Sequence, residues 1–253
     1  KTWTLSEDDG EKTIYIRVKD QFDHISEPAM VSVTLDKSGP DGTVTIKNKN
    51  GDTTIKEGEF INTCDILIIL DNVEDNLSGL HEYCVSFSNN ENDYNWGKLQ
   101  DATTKLWTLP DGDGKKTVYI RLQDKLGNIT TKVPFVIVDK TRPTGEFTII
   151  LPDGSESKGY TNSHDIKLKI SNLEDRGNAP SGVKGIYLWN GDSETPPSNT
   201  KFIKYEDIPL EEGGYLEWEL GEPDPEGKCR VNMLVVDNAG NVSDIDEEDD
   251  EKD

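Results

Sequence analysis

The sequence predicts an all-β chain made of tandem β-sandwich domains in an elongated array. Two observations predict it: apolar and polar residues alternate along short segments, and these segments recur with a period of about 100 residues. In one segment Ile166, Leu168 and Ile170 face one way, and Lys167 and Lys169 face the other. Such alternation is typical of a strand with one buried face. No stretch shows convincing helical periodicity.

The repeat is visible in several landmarks. Trp3 recurs at Trp107 and, more loosely, at Trp218. The strand-like segment that follows each tryptophan occurs three times, at 11–20, 115–124 and 228–237. A unit of this length corresponds to one sandwich domain and not to a short solenoid repeat.

The phase of the repeat divides the chain into four parts. Residues 1–38 match only the last three strands of a unit, 42–141 and 143–245 each match a whole unit, and 246–253 form an acidic tail. Half a sandwich cannot cover its own core. The half-unit is either an excerpt from a longer array or is completed by another molecule through strand exchange, and the economy of repeat proteins favours the excerpt.

The order of these landmarks resembles bacterial Ig-like tandem repeats, most closely from Trp107 to Pro143. This stretch holds the strand 115–124, a Gly-Asn turn at 127–128 and an Asp-Lys-Thr-x-Pro linker. Such repeats form arrays in surface proteins, adhesins and multi-modular secreted enzymes of Gram-positive bacteria. The resemblance implies an immunoglobulin-like fold, an extracellular location at the bacterial cell surface or in secreted form, and neighbouring Ig-like repeats of the same chain as partners.

Charge and composition exclude several classes of partner. The chain has 27 Lys and Arg against 50 Asp and Glu, a net charge of −23. This charge repels phosphate backbones and anionic lipid headgroups, so we expect no nucleic acid partner. No window approaches the ~18 apolar residues of a membrane span, so we expect no membrane insertion. Cys64, Cys84 and Cys229 lack the spacing of metal ligands, and a disulfide scaffold would have more cysteines.

The sequence predicts no catalytic residues. His24, His81 and His164 fall at non-equivalent positions of the repeat and do not indicate a shared site. No Gly-x-Ser-x-Gly, phosphate-binding loop or His-Glu-x-x-His motif occurs. We therefore expect that the chain is not an enzyme.

Calcium is the candidate cofactor. Ca²⁺ takes about six to eight oxygen ligands, and carboxylates and amides gather at the predicted ends of the sandwiches and at the linkers. The alternative is that these residues only make turns, with glycine at positive φ, and both hypotheses stay open. The candidate ligands are Asp36, Asp41, Asp75, Asp124, Asn128, Asp139, Asp175, Asp237 and Asn241.

A contact with a host protein or glycan is the second candidate site. Tyr187 and Trp189 alternate with Ile186 and Leu188, which predicts that their rings face outward. Exposed aromatic rings can stack on sugars or contact proteins. The alternative is partial burial beneath the long loop 190–213, the least repeat-like part of the chain.

These observations favour a structural stalk or spacer of an extracellular bacterial surface protein. Two alternatives stay open. One is an adhesin whose domains themselves bind a host protein or glycan. The other is a fibre subunit that assembles by strand exchange.

Overall fold

The computed structural model describes residues 2–98 and 104–244, so the predicted acidic tail 246–253 lies outside the described residues. The described part is all-β, which confirms the predicted fold class. Its helical content is limited to short 3₁₀ turns such as Glu91–Asp93 and Tyr205–Asp207. The strands are β1 (Gly10–Ile16), β2 (Ala29–Leu35), β3 (Asp41–Asn48), β4 (Thr54–Ile55), β5 (Phe60–Ile61), β6 (Asp65–Glu74), β7 (Leu80–Ser86), β8 (Trp96–Lys98), β9 (Thr104–Thr108), β10 (Gly114–Thr117), β11 (Tyr119–Asp124), β12 (Ile129–Lys132), β13 (Phe135–Val138), β14 (Thr144–Ile150), β15 (Asp165–Glu174), β16 (Val183–Asn190), β17 (Phe202–Lys204), β18 (Leu216–Glu219) and β19 (Val231–Asp237).

The chain divides into two compact units, each assembled from three segments. The first unit consists of Lys1–Glu57, Asp65–Leu109 and Thr117–Phe135. The second unit consists of Gly58–Cys64, Pro110–Lys116 and Val136–Asp253.

The first unit holds two four-stranded sheets, ordered β4-β3-β6-β9 and β12-β11-β7-β8. The strand pairs are antiparallel. The chain passes from one sheet to the other between β6 and β7 and again between β8 and β9, as expected for a sandwich. Ile66 and Ile68 on β6, and Ile120 and Leu122 on β11, are buried, so the alternating residues do form the inward faces.

The residues before β3 form a separate hairpin, in which β1 and β2 pair antiparallel. Residues 2–5, which match β9, are not a strand. β9 is held by its pairing with β6, and no counterpart of β6 faces residues 2–5 within the described chain. Ile16 and Val18 of this hairpin region are 58% and 69% exposed, whereas the matching Ile120 is buried. The matching pattern in β11 is buried because β11 belongs to a sandwich with a second sheet, β4-β3-β6-β9.

The second unit holds the three-stranded sheets β14-β15-β18 and β17-β16-β19 and most of a third, β10-β13-β5, in which β13 runs parallel to β5. The alternation predicted for β15 is confirmed, because its isoleucines and leucine are buried while Lys169 is exposed. Side chains from the sheets β14-β15-β18 and β17-β16-β19 pack into one core. This core consists of Ile166, Leu168, Ile170, Ile186, Leu188, Ile208, Met233 and Val235.

Two further properties bear on function. Cys64, Cys84 and Cys229 are free thiols. No helix in the described part of the chain has the length and apolar character needed to cross a membrane.

Candidate metal centres

Six aspartates form two clusters of the same construction. In each cluster, one carboxylate oxygen from each of three aspartates lies within 4.8 Å of the other two. Each cluster belongs to a single unit. The first aspartate cluster consists of Asp36, Asp75 and Asp124, and the second consists of Asp139, Asp175 and Asp237. The structure thus brings together six of the nine predicted ligands.

Three kinds of segment supply the carboxylates. The linker aspartate, Asp36 or Asp139, directly follows β2 or β13. The loop aspartate, Asp75 or Asp175, directly follows β6 or β15. The turn aspartate, Asp124 or Asp237, is the last residue of β11 or β19. Each cluster therefore ties a linker to the ends of strands from both sheets of the sandwich that follows it.

The linker aspartate is held by a main-chain donor from the loop. Ser78 N donates to Asp36 Oδ2 at 2.9 Å, and Ser181 N donates to Asp139 Oδ2 at 2.8 Å. Asp36 is only 8% exposed, and its Oδ1 is buried without a hydrogen-bond partner among the described residues. Such an oxygen is costly to bury unless something binds it.

The loop aspartate accepts from a glycine. Gly79 N donates to Asp75 Oδ1 at 2.5 Å, and Gly182 N donates to Asp175 Oδ2 at 2.6 Å. Both glycines have positive φ, 85° and 86°, which other residues rarely adopt. The second oxygen of Asp175, Oδ1, is buried and has no partner among the described residues. An unpartnered carboxylate oxygen thus occurs in both clusters.

The turn aspartate is organised by an asparagine four residues later. Asn128 Nδ2 donates to Asp124 Oδ2 at 2.6 Å and to the main-chain oxygen of Asp36 at 3.2 Å. Asn241 Nδ2 does the same for Asp237 at 2.7 Å and the main-chain oxygen of Asp139 at 2.8 Å. In each case the amide nitrogen contacts two oxygen acceptors. Rotating the amide by 180° would instead place its own oxygen against those two oxygens. In this structure the amide nitrogens of both asparagines, and not their oxygens, contact the clusters, so both act here as positioning residues.

The clusters concentrate negative charge without an internal counter-ion. None of the six carboxylates takes part in an ion pair within the described residues. Burial raises the pKa of Asp175, and the nearby carboxylates of Asp139 and Asp237 raise it further. Burial also acts to raise the pKa of Asp124, but hydrogen bonds led by those from Asn128 outweigh it, and the net shift is downward. A positive charge at either cluster would relieve this repulsion.

The candidate ligand atoms of both clusters fit a hard divalent cation. All of them are carboxylate oxygens, which suits Ca²⁺ and excludes a site built for soft metals. The buried unpartnered oxygens of Asp36 and Asp175 are what a cation would bind. The three carboxylates of each cluster would hold the ion, and the ion would compensate their negative charge.

Asp41 was predicted as a ligand and lies apart from both clusters. It is the first residue of β3, and its side chain is largely exposed. Its carboxylate pairs with Lys132 Nζ on β12 at 2.8 Å, and this hydrogen bond lowers its pKa. The structure therefore does not bring Asp41 into either cluster, because its side chain turns to Lys132 although it lies close to the linker in sequence.

Two aspartates that hold the linkers were not predicted. Asp113 accepts from Lys140 N at 2.8 Å and from Thr141 Oγ1 at 2.6 Å, directly after the linker aspartate of the second cluster. Asp9 binds the corresponding main-chain and hydroxyl groups of the linker 36–40. Each precedes a glycine that opens a strand of the repeat, and this shared position was the available signal.

The predicted aromatic contact site looks different in the structure. Trp189 is only 4% exposed, and its indole N–H donates to Ser193 O at 2.9 Å. The expected exposure of Trp189 is therefore wrong, because the chain beyond β16 folds back over the ring. Tyr187 is half-buried and packs against Phe202, with ring centroids 5.0 Å apart. The predicted pair does not form one exposed aromatic surface.

Comparisons with known proteins return structures only. No family model and no curated protein matches the chain. Among solved structures, it is similar to fibronectin(III)-like modules of Clostridium thermocellum CbhA, with 13% identity, 81% of this chain and 90% of that chain covered, and a TM-score of 0.41. It is also similar to the FN1–FN3 domains of chicken CNTN1 (10% identity, 94% and 73% covered, TM-score 0.40).

A third solved structure is the tetra-tandem repeat in the extending region of a large adhesion protein. It shares 14% identity, with 92% of this chain and 54% of that chain covered and a TM-score of 0.26. The all-β architecture of the present chain follows from its own sheets and core.

Proposed function

We propose that the chain is a structural stalk or spacer of an extracellular bacterial surface protein, and that Ca²⁺ at the two aspartate clusters locks its linkers. The observation that carries the proposal is the recurrence of a largely buried three-aspartate cluster at the same place in two repeats. A single acidic cluster has many explanations. Two clusters with matching donors, glycines and asparagines favour a shared role.

The chain's own residues prepare each cluster for a cation. Ser78 and Ser181 orient the linker carboxylates, and Asn128 and Asn241 orient the turn carboxylates. Ca²⁺ would supply the positive charge that compensates the three carboxylates. The linker then becomes fixed to the strand ends, and bending between the linker and the following sandwich becomes costly. Such stiffening is what a spacer needs.

The proposed calcium sites and the net charge suit an extracellular setting. Modules of extracellular proteins commonly bind Ca²⁺ with dissociation constants of about 10⁻⁴–10⁻³ M, which match calcium levels outside cells. The net charge of −23 favours solubility and attracts cations to the surface.

Calorimetry and thermal melts of the full chain test the proposal. We expect titration with CaCl₂ to show two ions bound per chain. We also expect Tm to rise by several degrees between EGTA and saturating Ca²⁺, because a ligand that binds only the folded state stabilises it. Asp36→Asn combined with Asp139→Asn should abolish this rise, and Asp41→Asn, outside the clusters, should keep it. A Tm unaffected by Ca²⁺ together with no binding heat would refute the calcium sites.

A further inference from the structure

The two aspartate clusters differ in the residue that follows the turn aspartate. It is Lys125 in the first cluster and Asn238 in the second. Their main-chain groups are equivalent: Lys125 N donates to Gly79 O and Asn238 N donates to Gly182 O, both at 3.0 Å. The two side chains therefore start from matching positions.

Both side chains lie over the glycine that binds the loop aspartate. Lys125 Nζ is 2.9 Å from the place where a Cβ on Gly79 would stand, and Gly79 N is 2.5 Å from Asp75 Oδ1. Asn238 Nδ2 is 3.5 Å from the same place on Gly182 and donates to its carbonyl at 2.9 Å. An ammonium thus stands beside the first cluster where the second has a neutral amide.

Other charged side chains adjoin the clusters in sequence. A glutamate precedes the loop aspartate in both clusters. Arg176 follows Asp175, but its guanidinium is exposed and paired with Glu174. Within the described residues Lys125 has no ion pair. Glu74 is exposed, so the position of the Lys125 ammonium beside Gly79, inside the screening length of ~10 Å at 0.1 M salt, is what distinguishes the first cluster.

We propose that the two clusters bind Ca²⁺ with unequal affinity, the second more tightly, and that residues 125 and 238 set the difference. This inference rests on the proposed function, since it concerns the same calcium sites. The ammonium of Lys125 repels an incoming cation, whereas Asn238 does not. We expect a difference of about tenfold in Kd at low ionic strength. The second linker then stiffens at a lower calcium concentration than the first.

Titration of single-site chains measures each affinity separately. Asp75→Asn disables the first cluster and Asp175→Asn disables the second. Isothermal titration of full-length Asp75→Asn chain with CaCl₂ should give a Kd about tenfold lower than that of the Asp175→Asn chain in low salt. The difference should shrink several-fold in 0.5 M NaCl, because the effect of an exposed ammonium is screened.

Exchange of the two residues tests the assignment. Lys125→Asn in the chain with only the first site should tighten binding about tenfold, and Asn238→Lys in the chain with only the second site should weaken it about tenfold. Arg176→Asn in the latter is the matched control and should change Kd less than threefold. Circular dichroism confirms that each variant is folded.

The outcomes separate this inference from the proposed function. Calcium binding with equal affinities, or with affinities that the two exchanges leave unchanged, overturns the inference and leaves the calcium sites standing. A larger effect of Arg176→Asn than of Lys125→Asn also overturns it. If the unmodified chain binds no Ca²⁺, the proposed function and this inference both fall.

Discussion

The side-chain nitrogen of Asn241 lies 2.8 Å from the main-chain oxygen of Asp139, a residue 102 positions earlier in the chain. The same amide also binds the Asp237 carboxylate. Asn241 thus connects the turn after β19 to the linker that leads into its own sandwich. The equivalent contact of Asn128 with Asp36 shows that the connection belongs to the repeat.

Removing this connection should destabilise the second unit. Asn241→Ala leaves the part-buried carbonyl of Asp139 without its donor, and we expect a loss of about 1–2 kcal/mol in the free energy of unfolding. Denaturant titration in EGTA measures it. Asn199→Ala, at an exposed asparagine of the loop 190–213, is the control and should change little. Equal effects of the two variants would contradict the role assigned to Asn241.

Calcium should reverse the direction in which a substitution in an aspartate cluster shifts Tm. In EGTA, Asp175→Asn removes one of three crowded carboxylates and should raise Tm. In Ca²⁺ it removes a ligand and should lower Tm relative to the unmodified chain. Thermal melts in both buffers check this, with Asp41→Asn as the control that shifts little in either. A Tm change of the same sign in both buffers would contradict a cation site.

The same residue predicts a pH dependence in EGTA. Burial and the carboxylates of Asp139 and Asp237 raise the folded-state pKa of Asp175 above its unfolded value. The contribution to stability is therefore fully present below the unfolded pKa and is lost as pH rises through the folded pKa. The advantage of Asp175→Asn over the unmodified chain should grow over that range. Melts at a series of pH values test this, and an advantage independent of pH would contradict it.

Asp113, which holds the second linker, should contribute more to the free energy of unfolding than Asp111. Asp113→Ala removes acceptors for Lys140 N and Thr141 Oγ1, and we expect a loss of about 1–2 kcal/mol in the free energy of unfolding. Asp111→Ala removes an exposed ion pair with Lys140 and should change stability little. Denaturant titration of both variants in Ca²⁺ makes the comparison. A larger loss for Asp111→Ala would show that the linker is held by charge and not by hydrogen bonds.

Burial of Trp189 predicts a structural effect in place of a binding effect. Trp189→Ala should cost about 3–5 kcal/mol in the free energy of unfolding, because it leaves a cavity beneath the chain that follows β16. Tyr160→Ala, at a ring that is 88% exposed, should change stability little. Denaturant titration distinguishes the two. A stable Trp189→Ala variant would show that the ring contributes little to the core.

The strands and their buried faces could be predicted from the sequence. The buried isoleucines and leucine of β15 follow from alternation alone, because successive side chains of a strand point to opposite faces. The repeat also placed six aspartates at equivalent strand ends. Alternation failed at Trp189, since the outward face of β16 is itself covered by a later part of the chain.

The site depended on contacts between residues far apart in sequence. Asp41 and Asp36 are near neighbours in the chain, yet only Asp36 reaches a cluster, while Asp41 turns to Lys132. The orientation of Asn128 follows from the carbonyl of Asp36 that it meets, and nothing in the local sequence specifies that partner. These choices come from tertiary hydrogen bonds.

The sequence by itself determined the all-β fold, the repeat and the set of acidic residues, because periodicity and spacing are local properties of the chain. Only the tertiary structure decided which aspartates meet, which asparagine atom faces them and which apolar residues are covered. Ile16 and Ile120 show the reason: the two lie in matching segments, and one is exposed while the other is buried. Burial and ligand geometry depend on what packs against a residue, and that partner lies elsewhere in the chain.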